Sequence, residues 1–130
     1  MKRITLIIAI LIMIAGNVYA SDSKFDKADA NKDGNIDAKE FDSAVNNKFK
    51  QYDKNNDGVV DNKELNVAKD AGAAKEFQYM DKNKDGKVSK DEFKAAAFDR
   101  FKLFDKSKDG TLSVPEYEAV RASPILKFYF

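Results

Sequence analysis

Between residues 41 and 52 the apolar positions are Phe41, Ala44, Val45, Phe49 and Tyr52, and between 93 and 104 Phe93, Ala96, Ala97, Phe101 and Phe104 recur at the same steps. Spacings of i, i+3, i+4 and i+7 put each set on one stripe of a helix, so two amphipathic helices are predicted there. Lys48 and Arg100 fall within the stripes, where long stems can lie along apolar neighbours while the charges reach water. Polar runs flank both helices, at 29–40, 53–64, 81–92 and 105–116, and each ends on glutamate. Phenylalanine stands four residues before each run (Phe25, Phe49, Phe77, Phe101), and an apolar residue directly follows each (Phe41, Leu65, Phe93, Tyr117). From Leu65 to Phe77 the apolar phase loses register. Gly72, amid Ala71, Ala73 and Ala74, is the predicted flexible join between halves of about 22–70 and 75–122.

Each polar run offers oxygen at fixed positions. Positions 1, 3, 5, 7, 9 and 12 are Asp29, Asn31, Asp33, Asn35, Asp37 and Glu40 in the first run, and Asp53, Asn55, Asp57, Val59, Asp61 and Glu64 in the second. They are Asp81, Asn83, Asp85, Lys87, Ser89 and Glu92 in the third, and Asp105, Ser107, Asp109, Thr111, Ser113 and Glu116 in the fourth. Ca²⁺ is a hard cation that takes about six to eight oxygens at roughly 2.3–2.6 Å, and a loop of about 12 residues supplies them from these positions. Position 7 gives its main-chain carbonyl, so its side chain is free to vary, and position 12 gives a bidentate carboxylate. Position 6 is Gly34, Gly58, Gly86 or Gly110, where the chain must turn with φ > 0. One D-x-N-x-D-G could be a solvated Asx turn without metal. Four copies in register point to as many as four Ca²⁺ sites.

These motifs resemble the EF-hand family, and the resemblance runs from Phe25 to about Val120. It implies an all-α fold of helix–loop–helix repeats, with a helix before and after each loop. It also implies that the branched residues at position 8, Ile36, Val60, Val88 and Leu112, pair loops through short β-bridges. The chain departs from calmodulin-like members in one respect, since residues 41–52 and 93–104 must each serve two loops as a single shared helix. Such a helix would hold its loops roughly 20 Å apart, too far for consecutive loops to bridge. Either Asn46-Asn47 breaks the first helix, or the partners change; with both helices straight, loop 1 is expected to face loop 3, and loop 2 to face loop 4. Pro115, at position 11 of the last loop, lies early in an outgoing helix, where a missing N–H costs little.

Residues 1–20 read differently. Lys2 and Arg3 precede an apolar run from Ile4 to Ala15 and a small-x-small Val18-Tyr19-Ala20, the form of a signal peptide cleaved after Ala20. The run is short for a membrane span of about 20 residues, so a membrane is expected only if that segment stays uncleaved. The mature chain, residues 21–130, would then be periplasmic or secreted. There is no cysteine for a lipid anchor or a disulfide, so rigidity must come from core and bound ions. Removing Lys2 and Arg3 turns the formal charge of +1 into −1. The loop lysines 32, 54, 82, 84, 106 and 108, spread evenly among acids, suit a solvated face that moderates affinity, not a nucleic-acid patch.

With no His and no Cys, and every clustered carboxylate assigned to a loop, no nucleophile–base pair can be named, so an enzyme is not expected. Two binding roles remain: a calcium buffer or calcium-stabilised scaffold, and a sensor that exposes an apolar groove to a dedicated protein partner. Sensors favour adaptable methionine at such grooves, whereas Met80 is the one methionine after the signal, against ten Phe. The apolar tail, residues 123–130, either fills the domain's own groove or docks a partner.

Overall fold

The computed structural model describes residues 23–130; the signal segment expected at 1–20 lies outside the described residues. Its elements are α1 (Ser23–Ala28), β1 (Asn35–Ile36), α2 (Ala38–Tyr52), β2 (Val59–Asp61), α3 (Ala71–Met80), β3 (Lys87–Ser89), α4 (Lys90–Phe104), β4 (Leu112–Ser113) and α5 (Val114–Val120), with a 3₁₀ turn at Leu126–Phe128. No helix among them is long and apolar enough to cross a membrane.

Both shared helices form as the periodicity requires. α2 starts at the N-cap Asp37 and ends at Asp53, so one unbroken helix links loop 1 to loop 2, and α4 likewise links loop 3 to loop 4 from Ser89 to Asp105. Asn46-Asn47 does not break α2; the Asn46 amide instead donates to Asp42 one turn back, at 2.8 Å. Phe41, Val45 and Phe49 line the buried face of α2, and Phe93, Ala96, Ala97, Phe101 and Phe104 that of α4. Burying an aromatic or aliphatic side chain of this size contributes about 1.5–3 kcal/mol relative to exposure.

The loop pairing differs from the one expected. β1 pairs antiparallel with β4, placing Ile36 opposite Leu112, and β2 with β3, placing Val60 opposite Val88. Loop 1 therefore faces loop 4, and loop 2 faces loop 3. Straight helices do force non-consecutive partners, but the segment after loop 2 reverses where a returning helix was expected. Residues 62–69 form successive turns, closed by hydrogen bonds such as Leu65 N–H to Asp61 and Val67 N–H to Asn62, with Asn66 in the left-handed region at φ 57°. The reversal sends α3 back to the end it came from, so loop 3 arrives beside loop 2, and α4 then carries the chain to loop 1. Gly72, expected as the flexible join, is helical. It sits in the first turn of α3, its N–H held at 2.8 Å by the N-cap Asp70.

Of the two readings of the tail, the structure has the domain's own groove. Leu126, Phe128 and Tyr129 are buried. The Phe130 ring meets Phe41 and Tyr117, and the Tyr129 ring meets Phe93. Pro115 lies in the first turn of α5, as its position in the loop predicts.

Candidate metal centres

All four loops turn alike around position 6. At position 6 the glycines have φ of 81° to 86°, where a Cβ would be strained. Each Gly N–H donates to the position-1 aspartate, at 3.0 Å for Asp29, Asp53 and Asp81 and 2.9 Å for Asp105. The other oxygen of each aspartate accepts the position-5 N–H at 3.1–3.3 Å. All four of these aspartates are buried. Position 4 also takes the left-handed conformation, at Lys32, Asn56, Lys84 and Lys108. The left-handed turn expected at position 6 is thus shared with position 4.

Position 12 closes each loop. Glu40 Oε1 accepts from Asn31 N–H at 3.0 Å, Glu64 from Asn55 at 3.3 Å, Glu92 from Asn83 at 3.2 Å and Glu116 from Ser107 at 2.8 Å. The other oxygen of each accepts from position 9, Asp37, Asp61, Ser89 or Ser113, at 3.0–3.1 Å. Positions 9 and 12 thus form a capping box, in which N-cap and N3 side chains satisfy each other's backbone N–H groups. This cap starts α2, α4 and α5. The residue that would clamp a cation also starts the next helix, which ties loop closure to helix geometry. Loop 2 has the same box at Asp61 and Glu64, yet turns follow it instead of a helix.

Every side-chain position named from the sequence is therefore found at a loop, and the position-12 carboxylate is brought across the loop to the position-3 N–H. Among the described residues no group of three or more His, Cys, Asp or Glu is gathered as a ready-made metal site. The fit to Ca²⁺ rests instead on a mixed oxygen set: carboxylates at 1, 5 and 12, Asn or Ser at 3, the carbonyl at 7, and Asp or Ser at 9. Such a set suits a hard cation. At position 7 the backbone N–H groups of Asn35, Val59 and Lys87 bond the position-5 aspartate, and their side chains need play no part, since a calcium loop uses the main-chain carbonyl there.

Backbone donors hold several of these acids in the charged form a cation requires. Glu116 is pulled down to about 2, first by the Ser107 N–H and then by the Ser113 hydroxyl and N–H. For Glu92, burial pushes upward, but hydrogen bonds from Ser89, Asn83 and Lys82 outweigh it and keep the group below the usual range.

Loop 4 departs from the other three at position 3. Asn31, Asn55 and Asn83 each accept the position-5 N–H at 2.8–2.9 Å, forming an Asx turn. The shorter Ser107 makes no such bond and turns its hydroxyl to Asp105 at 3.1 Å, while Lys108 N–H takes the same aspartate oxygen at 2.7 Å. Ser107→Asn is expected to tighten Ca²⁺ binding at loop 4 severalfold with the other loops unchanged, as read by competition with a chelating dye.

The sequence reading missed a buried polar network between the loop pairs. Glu76 on α3, 3% exposed, accepts two bonds from the Arg100 guanidinium of α4, at 3.1 and 2.9 Å, and one from the Tyr129 hydroxyl. Arg100 does not send its charge to water as expected. Its guanidinium also covers the Tyr79 ring at 3.9 Å. Lys48 likewise meets a partner, the main-chain oxygen of Phe130 at 2.9 Å. Burial, reinforced by the hydrogen bond to Glu76 and its charge, drives the Tyr129 hydroxyl far above its ordinary range. Glu76 lies between Ala73 and Met80 on the buried face of α3. An acid on that stripe was the available signal that a cation must meet it.

Helix–loop–helix units with mixed oxygen loops, joined in twos by antiparallel bridges, define a calcium-binding protein of helical hands. Comparison with family models agrees: one described as an EF-hand domain pair matches residues 42–98, and one described as an EF hand matches 23–45 and again 98–120. The chain belongs to the EF-hand family and binds calcium through it. The pair match takes in loops 2 and 3, which β2 and β3 join, while the two single matches fall on loops 1 and 4. No curated protein matches the chain.

Proposed function

We propose that the chain is an exported protein binding up to four Ca²⁺, one per loop, as a calcium buffer or a calcium-stabilised scaffold. The observation that carries this reading is that its apolar groove is already filled by its own tail. Leu126, Phe128 and Tyr129 are buried, and Leu103 is the one strongly exposed large apolar residue among those described. A protein of this kind gains stability from its ions without presenting a new surface. Export rests on the N-terminal Lys2, Arg3, Ile4–Ala15 and Val18-Tyr19-Ala20, with cleavage after Ala20. In a periplasmic or extracellular setting, sites of about 10⁻⁴–10⁻³ M suffice.

The alternative role, a sensor for a dedicated protein partner, requires calcium to drive the tail out of the groove. A calcium titration in the presence of a hydrophobic dye, with magnesium as control, separates the two. Fluorescence that stays flat or falls while calcium binds is the expected result. A rise that saturates with Ca²⁺ but not Mg²⁺ would establish the sensor.

A further inference from the structure

We infer that the C-terminal segment, residues 124–130, is a working part of the loop 1–loop 4 calcium pair, with Phe130 as its positioning residue. The inference rests on the four-site reading above and adds an unequal dependence of the two pairs on the tail.

The pairs are built differently. Loops 2 and 3 are joined by three bridged residue pairs, from Val59–Ser89 to Asp61–Lys87, and are near neighbours in the chain. Loops 1 and 4 are joined by two, Asn35–Ser113 and Ile36–Leu112, across most of the described chain. Closing the longer span costs more conformational entropy, and fewer bridge contacts offset it. The pair farthest apart in sequence needs another tie.

Phe130 is placed to supply it. Its ring rests 5.5 Å from that of Phe41 and 5.8 Å from that of Tyr117. Those two residues directly follow Glu40 and Glu116, the closing carboxylates of loops 1 and 4. Tyr117 also packs at 5.2 Å on Phe25, which precedes loop 1. One ring thus links the outgoing helix of loop 1 to that of loop 4, and through the capping boxes it fixes how the two glutamates approach their loops. The tail is anchored independently, by Lys48 to the Phe130 oxygen, Tyr129 to Glu76 and Lys127 to Asp70 at 2.6 Å. Tyr129 meets Phe93 beside loop 3, so removing the whole tail would disturb both pairs. Replacing Phe130 alone isolates its role.

The test is a calcium titration of the full chain and of Phe130→Ala, followed by the amide signals of Gly34, Gly58, Gly86 and Gly110. Each of these amides bonds its own loop's first aspartate. The calcium needed to half-saturate Gly34 and Gly110 is expected to rise at least tenfold in the variant, with Gly58 and Gly86 within twofold of the parent. Phe130→Tyr, which keeps the ring, is expected to restore the parent values. Equal shifts at all four glycines, or none, would overturn the inference while leaving the four-site reading intact. A parent protein whose Gly34 and Gly110 never respond would overturn the four-site reading, and the inference with it. Should the alanine variant lose its dispersed spectrum, Phe130→Leu is expected to show the same split at smaller size, and an even loss there would overturn the inference.

Discussion

Glu76→Ala is expected to cost about 3–5 kcal/mol of folding stability, the usual penalty for breaking one side of a buried ion pair. The carboxylate is the shared acceptor for Arg100 and Tyr129, and the Arg100 side chain is 15% exposed. Removing Glu76 leaves a guanidinium with little water and no counter-charge. Against a typical domain stability of about 5–15 kcal/mol, the calcium-free protein would be close to unfolding. Calcium would restore part of the loss, because an ion that binds only the folded state stabilises it by mass action. The check is denaturant unfolding of parent and variant in chelator. The double variant Glu76→Leu with Arg100→Met is expected to lose less than Glu76→Ala alone, since replacing both partners by apolar groups leaves no stranded charge. A double variant that lost as much as the sum of its single variants would show that the pair is not coupled.

Glu92→Gln is expected to remove calcium binding at loop 3 within the working range, and to weaken loop 2 as well. Loops 1 and 4 should keep most of their affinity. The substitution removes a charge and the bidentate grip of position 12, so its effect should exceed the about 10–100-fold that partners outside the ligand set are worth. The neighbouring effect follows from the bridge: Ser89, which shares the capping box with Glu92, is paired with Val59 of loop 2. Calorimetric titration with calcium should therefore lose the heat of one site and show a second displaced to higher concentration. Weakening confined to loops 3 and 4 would instead favour coupling along α4.

Much of this was legible in the sequence, and the remainder was hidden for identifiable reasons. The four loops could be read because the ion's demand for oxygen at fixed steps repeats in the chain. α2 and α4 could be read because their apolar stripes keep a helical period. Loop partners could not be read, because they turn on the reversal between Glu64 and Ala71. There Asn66 takes the left-handed region and Asp70 caps a new helix, while the sequence shows only a loss of apolar phase. Gly72, read as a join, lies inside the helix that Asp70 caps. The Glu76–Arg100–Tyr129 network left one trace in the sequence, an acid on the buried stripe of α3, but its partners meet only after folding, and periodicity alone suggested that Arg100 would reach solvent. The tail's aromatic character showed that something had to cover it, without showing that Phe41, Phe93 and Tyr117 would.

The number of ions bound decides whether the four loops are calcium sites. Equilibrium dialysis of the purified protein against calcium, with magnesium at physiological excess, is expected to approach four Ca²⁺ per chain at saturation, with Glu40→Gln, Glu64→Gln, Glu92→Gln and Glu116→Gln each lowering that number. Saturation at no ions, or an unchanged count in all four variants, would contradict the assignment of these loops as calcium sites.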